Sequence, residues 1–585
     1  MDERLYINGI LLDLKERSVA RSLQINDFRE VKDRQANYSN NIKIPKTSKN
    51  MEVFQDLGLV GSTTRIPYEQ VSVKYVLNGI ELIEAGKGIL KNTNEYYNLV
   101  IYDGNIGLTD LLGTLTLADL DYDTAPYKYN HNLNAVKFFD SFENTSGYVY
   151  ALKGQLGITT IEDTVPSFYI HTLFEMIFVQ KGWSISGDIF SSSEYLTRVQ
   201  TVEQGYLKTV LGSKNSVSGY PKNINVSRSG SSNKETVVAT LNAPSQSLYE
   251  VKLNGVISLR EGQVTLRIKK NGTTLKDFPI LVGGGNSVFD LEYSFLAILS
   301  DTIQIVEISE VSPFPPTTYD YDINYDINIT VDNRYFQIRF EDIIGATKQI
   351  DFVKDVMQRF NLSFRKKKNE NELEFITSEN LLTDISTAED WSYIFSRKLN
   401  ESYKSTYAQE NKAIYRYDED SEDYADGSIF VNDVNLPLEK IIFTSIYKAT
   451  KSVGNVYQVK YWDKDEPNQD GLRIFKKEMS GLSSLTFRFL STDETSQIDI
   501  DYALWNFDGL DFQTELDTYY NTFKKFLDDY KIITVEVNLN AIDIYQLDFF
   551  KLKYIKQLGR YFYVNKIINF RENRITKVEL IQIPI

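Results

Sequence analysis

The residues of this chain that could do chemistry are few in kind: two histidines, His131 and His171, no cysteines, and 80 carboxylates. General acid–base catalysis, zinc triads and Ser-His-Asp arrangements all draw on histidine, so two isolated imidazoles supply almost no material for them. Each reads as a surface histidine or one satisfied by hydrogen bonds. The absence of cysteine excludes thiol nucleophiles, disulfide frameworks and cysteine-based zinc or iron–sulfur sites. Stability must come from packing and association.

Carboxylates remain as the abundant reactive group. A glycosidase needs two of them about 5 to 9 Å apart across a sugar, a separation that sequence spacing does not set, and no family motif accompanies them here. The acidic run Asp418 to Asp426 lacks the DxDxDG spacing and terminal glutamate of a calcium loop and reads as a solvated loop. Gly283-Gly284-Gly285 leads into the strand-like Asn286-Ser287-Val288-Phe289, which suits a hairpin turn and not a phosphate cradle. No GxxxxGK[ST], HExxH or GxSxG pattern stands in a fitting context. Trp183, Trp391, Trp462 and Trp505 read as core or interface anchors. The expectation is a protein with no catalytic residues, no cofactor and no bound metal.

What the chain does carry is an assembly handle. In Asp33 to Phe54 the run Ser39-Asn40-Asn41-Ile42-Lys43-Ile44-Pro45 is a short polar–apolar alternation stopped by proline, and a turn-forming Lys46-Thr47-Ser48-Lys49-Asn50 follows. This reads as an edge strand with a tether. The residues expected at an interface are Tyr38, Ser39, Asn40, Ile42, Lys43, Pro45 and Asn50.

Composition fits that emphasis. The chain has 585 residues, a formal charge of −16, 39 tyrosines and 33 phenylalanines. The length predicts three to five compact units at about 100 to 200 residues each. Aromatics at this density favour sheets and broad contact surfaces. The acidic balance argues against a specific nucleic-acid partner; the densest basic run, Arg365-Lys366-Lys367-Lys368, reads as a solvated hairpin turn. The opening MDERLYINGILLDLKERS lacks a basic leader before an apolar core, and no window approaches ~18 apolar residues. A soluble chain, made in a cytoplasm without a cleavable signal or membrane insertion, is expected.

Periodicity predicts an α+β protein, predominantly β, in several domains. Residues 1–125 form an N-terminal β-barrel-like docking domain, with strands at Leu5 to Leu14, Ser22 to Ile25, Asn41 to Ile44, Val71 to Leu77, Gly79 to Leu90 and Tyr96 to Tyr102, and an Asn78-Gly79 hairpin turn. Residues 126–231 hold a connection and a helix–strand unit, in which Ser167 caps a helix carrying Ile170, Leu173, Phe174, Ile177 and Phe178, ended by Gly182. Residues 232–332 form an inserted antiparallel β-sandwich. Residues 333–400 repeat the helix–strand unit, with Ile350, Phe352, Val353, Val356 and Met357 as the stripe and Asn361 in the place of Gly182. Residues 401–585 form a C-terminal β-barrel-like domain with one aromatic helix from Thr514 to Asp528 and strands at Ile532 to Leu539, Phe549 to Ile555, Gly559 to Phe570 and Ile575 to Ile583. The last two strands share the long-hairpin layout of Gly79 to Tyr102, so the two ends are expected to be alike.

The opening Leu5-Tyr6-Ile7-Asn8-Gly9-Ile10 with YSNNIKIPKTSKN, and the closing KIITVEVNLNAIDIYQLDFFKLKYIKQLGRYFYVNKIINFRENRITKVELIQI, resemble the ends of tail proteins from tailed bacteriophages and prophages of Bacteroidetes-type hosts. The resemblance covers about the first hundred and last sixty residues. It implies a structural virion protein of the tail tip or baseplate, most like a tail hub, assembled in the host bacterial cytoplasm. It further implies a homo-oligomer, a trimer in preference to a hexamer, that presents two alike modules per subunit as a quasi-sixfold ring to the tube. Other implied partners are tail proteins such as the tube, a spike or a fibre. The alternatives are a tail protein that binds host-surface glycan through the 232–332 sandwich, a tail-associated polysaccharide hydrolase, and the same part in a related, non-viral injection machine.

Overall fold

The computed structural model describes residues 2–584 apart from 15–20, 24–37, 40–41, 103–107, 152–157, 162–165, 203–208, 281–284, 368–369, 404–405, 418–424, 450, 454–455, 459–471 and 491–497. The chain opens with β1 (Glu3–Ile7) and β2 (Ile10–Leu11). The single run expected over Leu5 to Leu14 is broken because Asn8 and Gly9 take positive φ, 48° and 82°, and fold it into a tight hairpin. There follow β3 (Arg21–Leu23), β4 (Tyr38–Ser39), β5 (Ile42–Pro45) and helix α1 (Ser48–Val53). Thr47 caps α1 by accepting from the Asn50 amide. Strands β6 (Val71–Leu77), β7 (Ile80–Asn92) and β8 (Tyr96–Tyr102) complete this region. Asn78 and Gly79, with φ of 51° and 81°, make the β6–β7 turn that the pair predicts.

Both helix–strand units are present. The first begins later than expected: Ser167–Tyr169 is a strand, paired on both sides with Tyr148–Val149 and Arg198–Thr201. Buried Phe168 and Tyr169 hold it in the sheet, so the helix α2 (Ile170–Val179) starts after them and no side chain caps it. Strand β9 (Ser184–Ser186) follows. The second unit is α3 (Gln349–Arg359), β10 (Leu362–Lys366) and β11 (Glu372–Thr377). Gly182 and Asn361 have φ of 77° and 50°, the left-handed exits their exchange predicts. β11 pairs parallel with β9 and antiparallel with β10, so the two units share one three-stranded sheet.

Between them stands a sandwich of a five-stranded and a four-stranded antiparallel sheet with its own hydrophobic core. The strand Tyr319–Asp332, YDYDINYDINITVD, sends its tyrosines and isoleucines inward and its Asp and Asn residues from Asp320 to Asn328 outward, while Asp332 at its end is buried. Leu248 and Leu296 at the base instead pack into the main core, rooting the sandwich on the body. Gly255 lies face to face with Tyr325, and a Cβ there would sit 2.3 Å from the Asn324 carbonyl oxygen.

In the C-terminal region β12 (Phe395–Ser402) precedes a long excursion to helices α4 (Phe512–Tyr519) and α5 (Asn521–Asp528). The single helix expected over Thr514 to Asp528 is broken at Tyr520, whose hydroxyl donates to the Gln358 carbonyl at 2.5 Å and whose ring is buried. The break lets Phe523, Phe526 and Leu527 enter the core from the second helix. The chain closes with β13 (Ile532–Val537), α6 (Ala541–Gln546), β14 (Lys553–Ile555), β15 (Arg560–Phe570) and β16 (Thr576–Gln582). The strand expected over Phe549 to Ile555 shortens to its last three residues, because buried Phe549 and Phe550 lie in the approach to it.

The two ends are one sheet. Its path runs β2-β1-β6-β7-β8-β4-β3-β15-β16-β13-β12 within a fourteen-stranded array, with β5 also on β8 and β14 on β15. β3 joins the halves: Arg21 faces Ser39 on one side and Phe570 on the other, and Leu23 faces Ile567.

Because the sandwich has a separate core, Gly255→Ala is expected to destabilise it by about 3 kcal/mol through overpacking and to lower a sandwich unfolding transition while the main body unfolds as before. Limited proteolysis of strands 247–261 and 319–332 along a temperature ramp reads this directly.

Candidate functional site

The two ends repeat a unit strand by strand. In the N-terminal copy β3 pairs with β4, the β4–β5 strand leads through α1 to β6, β6 turns into β7, β7 into β8, and β8 pairs back on β5. In the C-terminal copy β12 pairs with β13, β13 leads through α6 to β14, β14 turns into β15, β15 into β16, and β16 pairs back on β13. Both helices are capped by a side chain, Thr47 and Asn540. The copies meet at a two-part joint: β3 of the first lies on the far end of β15, and α6 of the second packs against β7. Asn78 Nδ2 donates to Glu572 Oε1 at 3.3 Å, from one hairpin turn to the other copy's.

The expected interface residues lie in the N-terminal copy. Ile42 is buried against β8, Pro45 is half-buried at the end of β5, and Lys43 is exposed with its ammonium 6.0 Å from the Tyr96 ring centre. Asn50 is wholly buried, with Nδ2 donating to the Asp13 and Pro45 carbonyls, both at 2.9 Å, and Oδ1 accepting from the Asp13 amide at 3.0 Å. It clamps the strand end to the loop after β2. Tyr38 and Ser39 pair through their backbone; their side chains and Asn40 lie outside the described residues.

The charged group that sequence reading missed is at the centre of the body. Arg359 of α3 bonds Asp355 at 2.6 Å, Glu515 of α4 at 2.9 Å, the Tyr415 hydroxyl at 3.0 Å and Ser445 Oγ at 2.7 Å. Arg198, which follows the first helix–strand unit, pairs with the other oxygen of Glu515 and lies 4.3 Å over the Phe360 ring. All four charged side chains are at most 2% exposed. Burial pushes Glu515 up, with both arginines opposing it; burial would lower Arg359, but Asp355, Tyr415 and Glu515 hold it well above its usual value. The cluster is neutral in sum and closed to solvent, so it ties the units together and offers no substrate access. The i,i+4 pair Asp355/Arg359 on an apolar helix face was its available signal.

The other chemical candidates are structural where described. His131 is held between the Tyr129 carbonyl at 2.7 Å and the Tyr150 hydroxyl at 3.0 Å and stacks on Tyr148; burial pushes it down to about 4. His171 is pushed to about 4 by burial as well, and its Nδ1 has no hydrogen-bond partner. Trp391 and Trp505 are core residues and Trp183 packs against the core, with Lys366 over its ring; Trp462 lies outside the described residues. Arg365 bridges Glu374 and Asp548, and Lys367 pairs with Glu372, while Lys368 is not described. Of the acidic loop only Ala425 and Asp426 are described, Asp426 accepting from the Tyr415 amide at 2.9 Å. Gly283 and Gly284 are not described, and Gly285 opens a strand. Glu250 and Glu292 converge on Lys252, at 3.5 and 3.0 Å; burial raises Glu292, with Lys252 opposing. Among the described residues no group of three or more His, Asp or Glu side chains is placed to hold a metal ion, and no helix is long and apolar enough to cross a membrane.

No family model and no curated protein matches this chain. Among solved structures, the 43 kDa tail protein of prophage MuSo2 from Shewanella oneidensis aligns over 100% of this chain and 98% of that one, at 6% identity and a TM-score of 0.34. T=1 particles derived from infectious bursal virus align over 58% of this chain and 73% of that one, at 8% identity and 0.17. A carbohydrate-binding module of Cellvibrio mixtus lichenase 5A, solved with cellotriose, aligns over 22% of this chain and 93% of that one, at 13% identity and 0.13. Likenesses at these scores carry no argument about fold or function.

Two outcomes follow from the buried groups. Glu515→Gln leaves two arginines facing one carboxylate and is expected to cost about 3 to 5 kcal/mol, read as a lowered denaturant midpoint. Both histidines have folded pKa values of about 4, below the usual 6.5. Their contribution is therefore full above pH 6.5 and is lost as pH falls through about 4, on the order of 3 kcal/mol or less for each. His171→Phe is expected to flatten the decline of unfolding midpoint between pH 6.5 and 4; an unchanged slope refutes the assignment.

Proposed function

We propose that this protein is a non-catalytic structural component of a phage tail tip or baseplate, hub-like, forming a ring that joins the tail tube to distal tail parts. The single observation that carries the reading is the duplicated sheet unit. One subunit offers the same strand arrangement twice, side by side in one sheet, so three subunits supply six alike units to a sixfold tube. The sequence resemblance of the first hundred and last sixty residues supplies the tail context. The partners on this reading are further copies of the chain, the tube, and a spike or fibre. Of the handle, exposed Lys43 and the end at Pro45 remain available to a neighbour. The virion tail is the proposed location, with assembly in the host bacterial cytoplasm.

A second reading, host-glycan binding, has one observation in its favour. The exposed face of the sandwich carries a row across four strands, Asn223, Asp326, Asn254 and Asp290, with Asn223 donating to Asp326 at 2.9 Å and Asn254 to Asp290 at 3.1 Å. Planar amides and carboxylates of this kind suit sugar hydroxyls.

Light scattering of the purified chain, with imaging of assembled particles, tests the first reading. A trimer in solution or a ring at the tube end is expected; a monomer at every concentration, with no ring in any particle, refutes it. Glycan-array binding by the full chain that is lost on Asn254→Ala would move the weight to the second.

A further inference from the structure

The joint inside the chain has a counterpart that the chain alone leaves open. In the N-terminal copy the outer neighbour of β3 is β15; in the C-terminal copy the strand equivalent to β3 is β12, and it ends the sheet path with no strand on its outer side among the described residues. Ser396 to Asn400 are exposed, Leu399 by 38%, and Tyr403 just beyond is 61% exposed. Two bulges and the charges of Arg397 and Lys398 blunt the first part of that edge, so its regular end, leading to Tyr403, is the part that can serve as a template for another chain. The strand equivalent to β15 is β7. β6 covers β7 only as far as Gly88, which leaves Ile89 to Asn92 past the last pair, as β14 covers β15 only as far as Phe562 and leaves Ile567 and Phe570 for β3.

We infer that the outer edge of β12 is the seam of a head-to-tail assembly, and that its partner is the far end of β7 in a second copy of this chain. The internal joint, with the two modules exchanged, gives both halves of the contact: β12 on β7 in place of β3 on β15, and α1 on β15 in place of α6 on β7. Carrying over the register of the internal joint brings the end of β12 and Tyr403 against Ile89 to Asn92. The loop after α1 offers exposed apolar side chains for the same seam, Leu59, Val60 and Tyr68, and the 3-10 turn Ile66–Tyr68 lies against β7. The contact is heterologous, since each copy uses β12 toward one neighbour and β7 toward the other, and such contacts close into rings when the rotation allows. The inference rests on the ring reading above and adds which surfaces make the ring.

The absence of cysteine makes the test clean. Tyr403→Cys and Lys91→Cys are placed together in the full chain, both at exposed positions, and the protein is oxidised at concentrations where the wild type is oligomeric. Non-reducing gels are expected to show a disulfide ladder that ends at the ring number, three, while neither single variant gives more than dimers. Val288→Cys with Lys91→Cys, one partner on the distant sandwich, is expected to give no ladder; an equal ladder from this control means random collision and overturns the seam. An oligomer by light scattering with no cross-link in the Tyr403/Lys91 variant also overturns the seam but leaves the ring reading standing. A monomer at every concentration with no ring in particles removes both.

Discussion

The three residues of β3 hold the architecture together. Backbone groups of Arg21 to Leu23 are shared between β4, about twenty residues away, and β15, near residue 570, so among the described residues the chain's two ends become one hydrogen-bonded sheet only there. A pairing across almost the whole sequence carries a large loop-closure entropy. It becomes affordable once the intervening chain is folded and presents the two ends to one another. Everything between residues 103 and 394 must therefore return to its starting point, and the main core, which takes in both ends and both helix–strand units, is the physical form of that requirement.

The buried charges answer the same requirement from inside. Hydrophobic contacts would hold α3 against α4 in many registers, whereas Arg359, forked between Asp355 and Glu515, accepts one. Arg198 extends the fork to the first helix–strand unit, so three segments far apart in sequence are fixed by one carboxylate, Glu515. Removing four charges from water is costly, and the aromatic rings of Phe512, Tyr415 and Phe360 beside the guanidiniums offset part of that cost. The gain is in geometry: these bonds set how α3, α4 and the segment of Arg198 sit on one another.

Much of this fold was legible because its signals are local. Asn78-Gly79, Gly182 and Asn361 each encode a backbone conformation through one or two side chains, and all three behave as their chemistry requires. The likeness of the two hairpins was legible for the same reason. What escaped was decided by distant contacts. Ser167 has the look of a helix cap, yet the strands at Tyr148–Val149 and Arg198–Thr201 claim its backbone. Tyr520 sits on a continuous apolar stripe, yet a bond to the Gln358 carbonyl breaks the helix there. Asn50, one of the residues marked for an interface, is buried as an internal clamp because Asp13 and Pro45 converge on it. The strand itself was legible, as Ser22 to Ile25, but the joint it makes was not, because its second partner lies at the opposite end of the chain.

A duplicated unit in a single chain differs from two identical subunits in one respect that bears on a ring. Identical copies must carry identical attachments, whereas here the N-terminal unit runs from β3 to β8 with little added, and the C-terminal unit opens between β12 and β13 to admit the excursion that carries α4 and α5. The sandwich hangs from the chain between the two units. On the ring reading, sheet units would alternate around the circle while projections appear at every second position. The tube would then meet six alike surfaces, and the distal face would present three of everything else. The sheet pairing would be conserved by hydrogen-bond geometry, which tolerates wide sequence change, while the loops between strands are free to vary. That division places the symmetry match in the backbone and the specialisation in the insertions.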